Sequence, residues 1–190
     1  MEKQRFLVLH DYGMGGLWWW VHARSAREVV ETFAEAEVVD DPETIARFAD
    51  DDDLDEVDVD DAVMPPGLDD MRARRDEQRG RPGFGALADR EIVHLRRAWD
   101  EDDPAVYLME VGRDGRRLRQ VELRETGPGV RGVPDDWAFN PPVVDIFDPV
   151  LVEQQIDQAE FERAWESAVP DDSTVDGSAF DGDQELEDRL

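Results

Sequence analysis

A chain of 190 residues with 49 Asp and Glu against 21 Lys and Arg, a formal charge of -28 and no cysteine has length for one ordinary domain with an appendage. That charge argues against direct binding to nucleic acid or anionic lipid, because both need a cationic surface that releases counterions. The missing cysteine excludes disulfides, thiol nucleophiles and thiolate metal sites. In chain order, Phe6–Leu9 and Leu17–Val21 are short apolar runs around a Gly-rich connection and predict a hairpin. The first run is too short for a signal-peptide core or a membrane span, so the expected location is cytoplasmic. Ser25 and Glu28 have capping-box spacing ahead of a helix over 26–36, followed by a strand at 37–39. Asp41 and Pro42 start a second short helix carrying Ile45 and Phe48.

The charge is segregated: residues 40–70 hold 14 acids and one base, and 135–190 hold 17 acids and two bases. Like charges in such blocks repel and stay solvated, so 50–61 is expected as a mobile loop inside an irregular charged insertion over 50–85. Ala88, Ile92, Leu95 and Trp99 form a helical stripe, which would put Arg90, His94 and Arg97 together on another face. Ala105–Val111 and Leu118–Leu123 flank Gly112-Arg-Asp-Gly115, a strong hairpin signal. Strand is expected again at 143–147 and 150–152. Asp157 then caps a helix that buries Phe161, Ala164, Trp165 and Ala168. Residues 170–190 read as an acidic disordered tail after a single domain over 1–169. The fold class is α+β: an antiparallel sheet built from hairpins, with helices packed on a face.

Candidate sites are few. The Gly-rich turn at 11–16 has the glycines of a phosphate loop but leads into a strand, where such loops lead into a helix. Trp18 and Trp20 share one face of their strand and Trp19 takes the other, so either both faces are covered or one is a binding surface. His10, Asp11, His22 and His94 are the only nitrogen and oxygen ligand set, without metal-ligand spacing, and no metal or cofactor is expected. Asp172, Thr174, Asp176, Gly177, Ser178 and Asp183 match a calcium loop incompletely, because position twelve is Asp where a bidentate Glu is required. The arginines from Arg72 to Arg81 follow the acidic run directly, which makes an internal electrostatic partner the cheaper explanation for them. Of the 21 basic residues, 20 are Arg. That bias fits either a GC-rich genome or a high-salt cytoplasm.

The segment Asp11-Tyr-Gly-Met-Gly-Gly-Leu-Trp-Trp-Trp20, followed by Ala23-Arg-Ser25, resembles uncharacterised bacterial proteins with a Tyr-Gly-x-Gly-Gly-x-Trp start. Tyr107-Leu-Met-Glu110, the turn after it, Arg119–Leu123 and Phe161-Glu-Arg-Ala-Trp165 resemble small proteins of unknown function encoded beside bacterial toxins as immunity proteins. The resemblance implies no catalytic residues. Together with the charge, it leads to a non-enzymatic protein, monomeric or a small homo-oligomer, that recognises a basic protein partner. Asp51, Asp52, Asp53, Asp55, Asp58 and Asp60 would steer that partner, and Trp18 and Trp20 would supply the short-range contact. Two alternatives stand beside it: a small ligand-binding domain or enzyme using the 11–16 turn with His10 and His22, and a structural subunit with an aromatic interface.

Overall fold

The computed structural model describes residues 2–13, 15–49, 51, 53–99, 105–137 and 141–171. The chain is α+β, with two sheets where the sequence predicts one. The first is ordered β3-β1-β2-β4, and the second β5-β6-β7-β8-β9. β1 (Gln4–Asp11) and β2 (Gly16–Ala23) form the expected hairpin, in a register that places Leu7 opposite Trp20 and Leu9 opposite Trp18. The turn closes because Asp11 Oδ1 accepts the Gly13 N–H at 2.7 Å while Gly13 takes a φ of +88°, a conformation open to glycine. β3 (Glu37–Val38) joins β1 antiparallel, and β4 (Glu56–Asp58) joins β2 in parallel.

One face of the first sheet carries Val8, Trp19, Val21 and Ala23. It is covered by α1 (Ala26–Thr32) and α3 (Leu68–Arg79), which contribute Val29, Leu68 and Met71 to the same core. Ser25 caps α1 as predicted, its side chain accepting the Glu28 N–H. The return bond of the capping box is shifted by one residue, because the Glu28 carboxylate accepts the N–H of Arg24. α2 (Pro42–Phe48) begins at Asp41, as the sequence predicts, and lies against the other face of the sheet without a fully buried residue.

Residues 50–85 are not an irregular insertion. The buried positions of α3 are Leu68, Met71, Arg75 and Gln78, a helical stripe in which two of the four side chains are polar. Apolar periodicity alone passes over such a helix. Likewise, the run over 50–61 is not a free loop throughout, because β4 pairs with β2 and Val57 packs against the first core.

The second sheet is built from β5 (Ile92–Trp99), β6 (Ala105–Gly112), β7 (Arg117–Arg124), β8 (Val130–Gly132) and β9 (Val169–Pro170). Pairing is antiparallel except between β8 and β9. The helix expected from Ala88, Ile92, Leu95 and Trp99 is therefore a strand. Ile92, on that stripe, is 42 % exposed, whereas Val93 and Leu95, two residues apart, are buried. A period of two governs because β6 supplies backbone partners along the whole segment. His94 and Arg97 accordingly fall on opposite faces. The hairpin over Gly112–Gly115 forms as predicted.

Val93, Leu95, Met109 and Val111 face a second core with Leu87, Phe147 and Leu151. Leu108 and Val121 face a third, closed by Phe161 of α5 (Gln158–Ser167). Asp157 caps α5 as expected, accepting the Glu160 N–H at 2.7 Å. The strands expected at 143–147 and 150–152 are absent. Val144 instead docks by a single bond from its N–H to the Gly115 carbonyl, 2.8 Å, and α4 (Leu151–Gln154) begins one turn later. The acidic tail and the calcium-like stretch lie outside the described residues, apart from Pro170 and Asp171.

Candidate functional site

The acidic run crosses the edge of the first sheet beside its aromatic face, and backbone geometry brings the two together. The Trp20 N–H donates to the Asp55 carbonyl at 2.9 Å, and the Asp51 N–H donates to the Phe48 carbonyl at 3.2 Å. The same Phe48 carbonyl accepts the indole N–H of Trp20 at 3.3 Å. Asp51 Oδ1 in turn accepts the Asp53 N–H at 3.0 Å. On β2, the half-buried Trp18 stacks on the half-buried Phe48, with ring centroids 4.6 Å apart and planes inclined by 25°. Trp18, Phe48, Asp51, Asp53 and Asp55 thus form one patch. Asp52 lies outside the described residues.

Two features differ from the sequence reading. Trp20 is only 4 % exposed, with the Arg5 guanidinium 3.9 Å from its ring centroid, so it supports Trp18 and is not itself an accessible anchor. Asp58 and Asp60 are already neutralised within the chain. Lys3 bonds to both carboxylates, and Arg24 lies 2.7 Å from Asp60. Lys3 in the first place holds both carboxyls below their ordinary pKa, and Arg24 adds to the effect on Asp60. Between the two groups, Glu56 bonds to His22 at 2.5 Å and Arg5 at 3.0 Å, and His22 followed by Arg5 lowers its pKa. Among the described residues, no Lys, Arg or His pairs with Asp51, Asp53 or Asp55.

The histidines do not converge. His10 stands opposite Leu17 at the turn end of the hairpin, and His22 opposite Arg5 near its other end. Five residues of extended strand separate them, about 17 Å. His94 is buried against Phe161 and 3.1 Å from Glu110 on the second sheet. Among the described residues, no group of three ligand-type side chains is placed to hold a metal ion. The arginines of α3 do meet internal partners. Arg74 pairs with Glu35, Arg79 with Asp76, and Arg72 donates to the carbonyls of Asp61 and Val59.

Sequence reasoning missed two features. The first is a cavity of about 400 Å³ between α1, β3 and the 144–147 segment, walled by Val30, Val38, Val144 and Phe147. At its mouth Arg116 pairs with Asp40 at 2.9 Å and Glu37 at 3.1 Å, which raises the guanidinium pKa, Asp40 contributing most. The second is a hollow on the second sheet that contains two arginines. Both are assembled from segments far apart in the chain, and no local pattern announces them. No helix among the described residues is long and apolar enough to cross a membrane. Comparison with models of protein families, with curated proteins and with solved structures finds no significant match to this chain.

Proposed function

We propose that this chain is a non-enzymatic cytoplasmic protein that binds a basic protein partner, in the manner of an immunity or inhibitor protein. The observation that carries the reading is the placement of three carboxylates that have no cationic partner among the described residues, Asp51, Asp53 and Asp55, beside the half-exposed stack of Trp18 on Phe48. Unpaired carboxylates on a chain of formal charge -28 attract a basic surface over a distance set by the Debye length. The aromatic pair then supplies contact area at close range. Asp58 and Asp60 take a different part: with Lys3 and Arg24 they tie β4 to the hairpin.

The test is capture of the partner at low ionic strength by the wild-type chain and by two variants, D51N/D53N/D55N and D58N/D60N, followed by association kinetics with the protein captured. The expected outcome is one stoichiometric basic protein released by salt. Its association rate should fall several-fold in the first variant and fall less in the second. An association rate unchanged in D51N/D53N/D55N would remove this patch from the mechanism. The ligand-binding alternative at the 11–16 turn lacks its second histidine, since His22 stands at the far end of the hairpin.

A further inference from the structure

In a chain with more than twice as many acids as bases, an arginine with no acidic partner among the described residues stands out, and Arg117 is such a residue in a half-buried position. Its Nε is buried and accepted by nothing, and its Nη1 donates to Gln120 Oε1 at 2.7 Å. No carboxylate among the described residues pairs with it. The same hollow, about 260 Å³, is lined by Arg97, Tyr107, Met109, Gln120 and Glu122. Arg97 likewise has no carboxylate partner among the described residues. Strand register explains the grouping. Arg97 pairs across to Tyr107, Tyr107 to Glu122, and Met109 to Gln120, so these side chains alternate onto one face of the sheet. The second core covers that face from Val93 and Val111 to Leu95 and Met109, with Tyr107 packed at its margin, and the hollow lies at that margin. An irregularity in register after Glu110 sets Arg117 opposite Val111, and its guanidinium bonds to Gln120, which lies opposite Met109.

Two guanidiniums converging on one hollow repel each other, and burial first, then Arg97, lowers the pKa of Arg117. The one carboxylate in the lining, Glu122, is engaged by Arg124 at 2.5 Å. Among the described residues, the two arginines lack a negatively charged partner with several acceptor oxygens. We propose that the hollow binds a small oxyanion, of phosphate-monoester or carboxylate type, with Arg117 and Arg97 as its cationic contacts. Guanidinium groups take either oxyanion by paired N–H bonds. Bonding of Gln120 through its carbonyl oxygen leaves its amide NH2 as a further donor. At about 30 Å³ per water in the liquid, the volume admits the oxyanion and a few attached carbon atoms. This site lies on the second sheet and does not depend on the partner-binding patch of the first.

The experiment is titration of the full chain with inorganic phosphate and, separately, with succinate, at physiological ionic strength so that the long-range repulsion from the net charge is screened. Backbone amide resonances of β6 and β7 report binding, and thermal unfolding reports stability. The expected result is saturable one-to-one binding of at least one probe, weakened tenfold or more in Arg117→Met and in Arg97→Gln. Binding should be unchanged in Arg96→Gln, whose side chain lies on the opposite face with Glu160. Saturation by phosphate alone identifies a phosphate site, and saturation by succinate a carboxylate site. Arg117→Met without ligand should unfold at or above the wild-type temperature, because it removes a partly buried cation that no carboxylate among the described residues compensates. Failure of both probes to saturate at tens of millimolar, or wild-type affinity in Arg117→Met, would overturn the proposal.

Discussion

Removing Arg75 should destabilise the protein more than removing any surface charge. Its side chain is 1 % exposed and that of Asp145 8 %, and they meet at 2.8 Å. Arg75 Nη2 also donates to the carbonyls of Val30 at 2.8 Å and Phe33 at 3.1 Å, and Nη1 donates to Gln78 Oε1 at 2.7 Å. The guanidinium lies 5.1 Å from the Phe147 ring centroid. One residue of α3 therefore ties α1, in the first core, to the 144–147 segment of the second. Arg75→Met fills similar space but leaves the buried Asp145 carboxylate without its cation, with the Gln78 amide and the Phe147 N–H as its remaining donors. Three further acceptor oxygens also lose this donor. Breaking one side of a buried pair costs about 3–5 kcal/mol. Arg75 Nε has no acceptor, so the substitution also relieves one unsatisfied donor, which places the expected loss near the low end, about 3 kcal/mol. For a chain of this size that corresponds to a fall of about 6–12 °C in the unfolding temperature. Urea unfolding followed by tryptophan fluorescence and far-ultraviolet circular dichroism measures it. Arg75→Met/Asp145→Asn should lose less than the sum of the single variants, with a coupling of about 1–3 kcal/mol. A loss below about 1 kcal/mol in Arg75→Met, or strict additivity, would refute the view that this pair joins the two cores.

A pH dependence and a backbone effect are also expected. Glu110 accepts two bonds from Arg119, at 2.9 and 2.5 Å, and lies 3.1 Å from His94. Arg119 first, then His94, lowers its pKa against the opposing effect of burial. A carboxyl with a lowered folded-state pKa contributes stability that is fully present above the ordinary value of 4.5 and is lost as pH falls from there through the folded value. Glu110→Gln should therefore be less stable at neutral pH and lose less stability on acidification, as read from urea midpoints between neutrality and about pH 3. Equal pH slopes in the two proteins would contradict this. Gly115 has a φ of +85°, and a Cβ there would lie 2.3 Å from the Val144 carbonyl oxygen. Gly127 has a φ of +94° with open space around it. Gly127→Ala should cost about 1 kcal/mol, the conformational penalty alone, and Gly115→Ala at least about twice that, since the docked 144 segment must also move. Equal losses would show that the close approach has no energetic weight.

Where local chemistry has a single reading, sequence and structure agree. The turns at Gly13 and Gly115 need positive φ, Ser25, Asp41 and Asp157 offer an oxygen to an unpaired helix N–H, and the strands of both hairpins alternate or run apolar. Sequence reasoning went astray where partners distant in the chain decide the outcome. Ile92–Trp99 fits a helical stripe until β6 offers a ladder. α3 shows too few apolar positions until Asp145, seventy residues away, makes Arg75 a core residue. The acidic run looks uniform in composition, yet Lys3 and Arg24 neutralise Asp58 and Asp60, while among the described residues no cation pairs with Asp51, Asp53 or Asp55.

The sequence by itself determined an α+β chain of strong negative charge with two hairpins and well-capped short helices, because turn chemistry, capping and charge are properties of neighbouring residues. Only the tertiary structure decided that there are two sheets, that Trp18 and not Trp20 stays accessible, and that Arg97 and Arg117 share a hollow in which, among the described residues, neither pairs with a carboxylate. Those outcomes depend on strand register and on which side chains meet across long loops, and the free energy of such contacts belongs to pairs of residues that no local window contains.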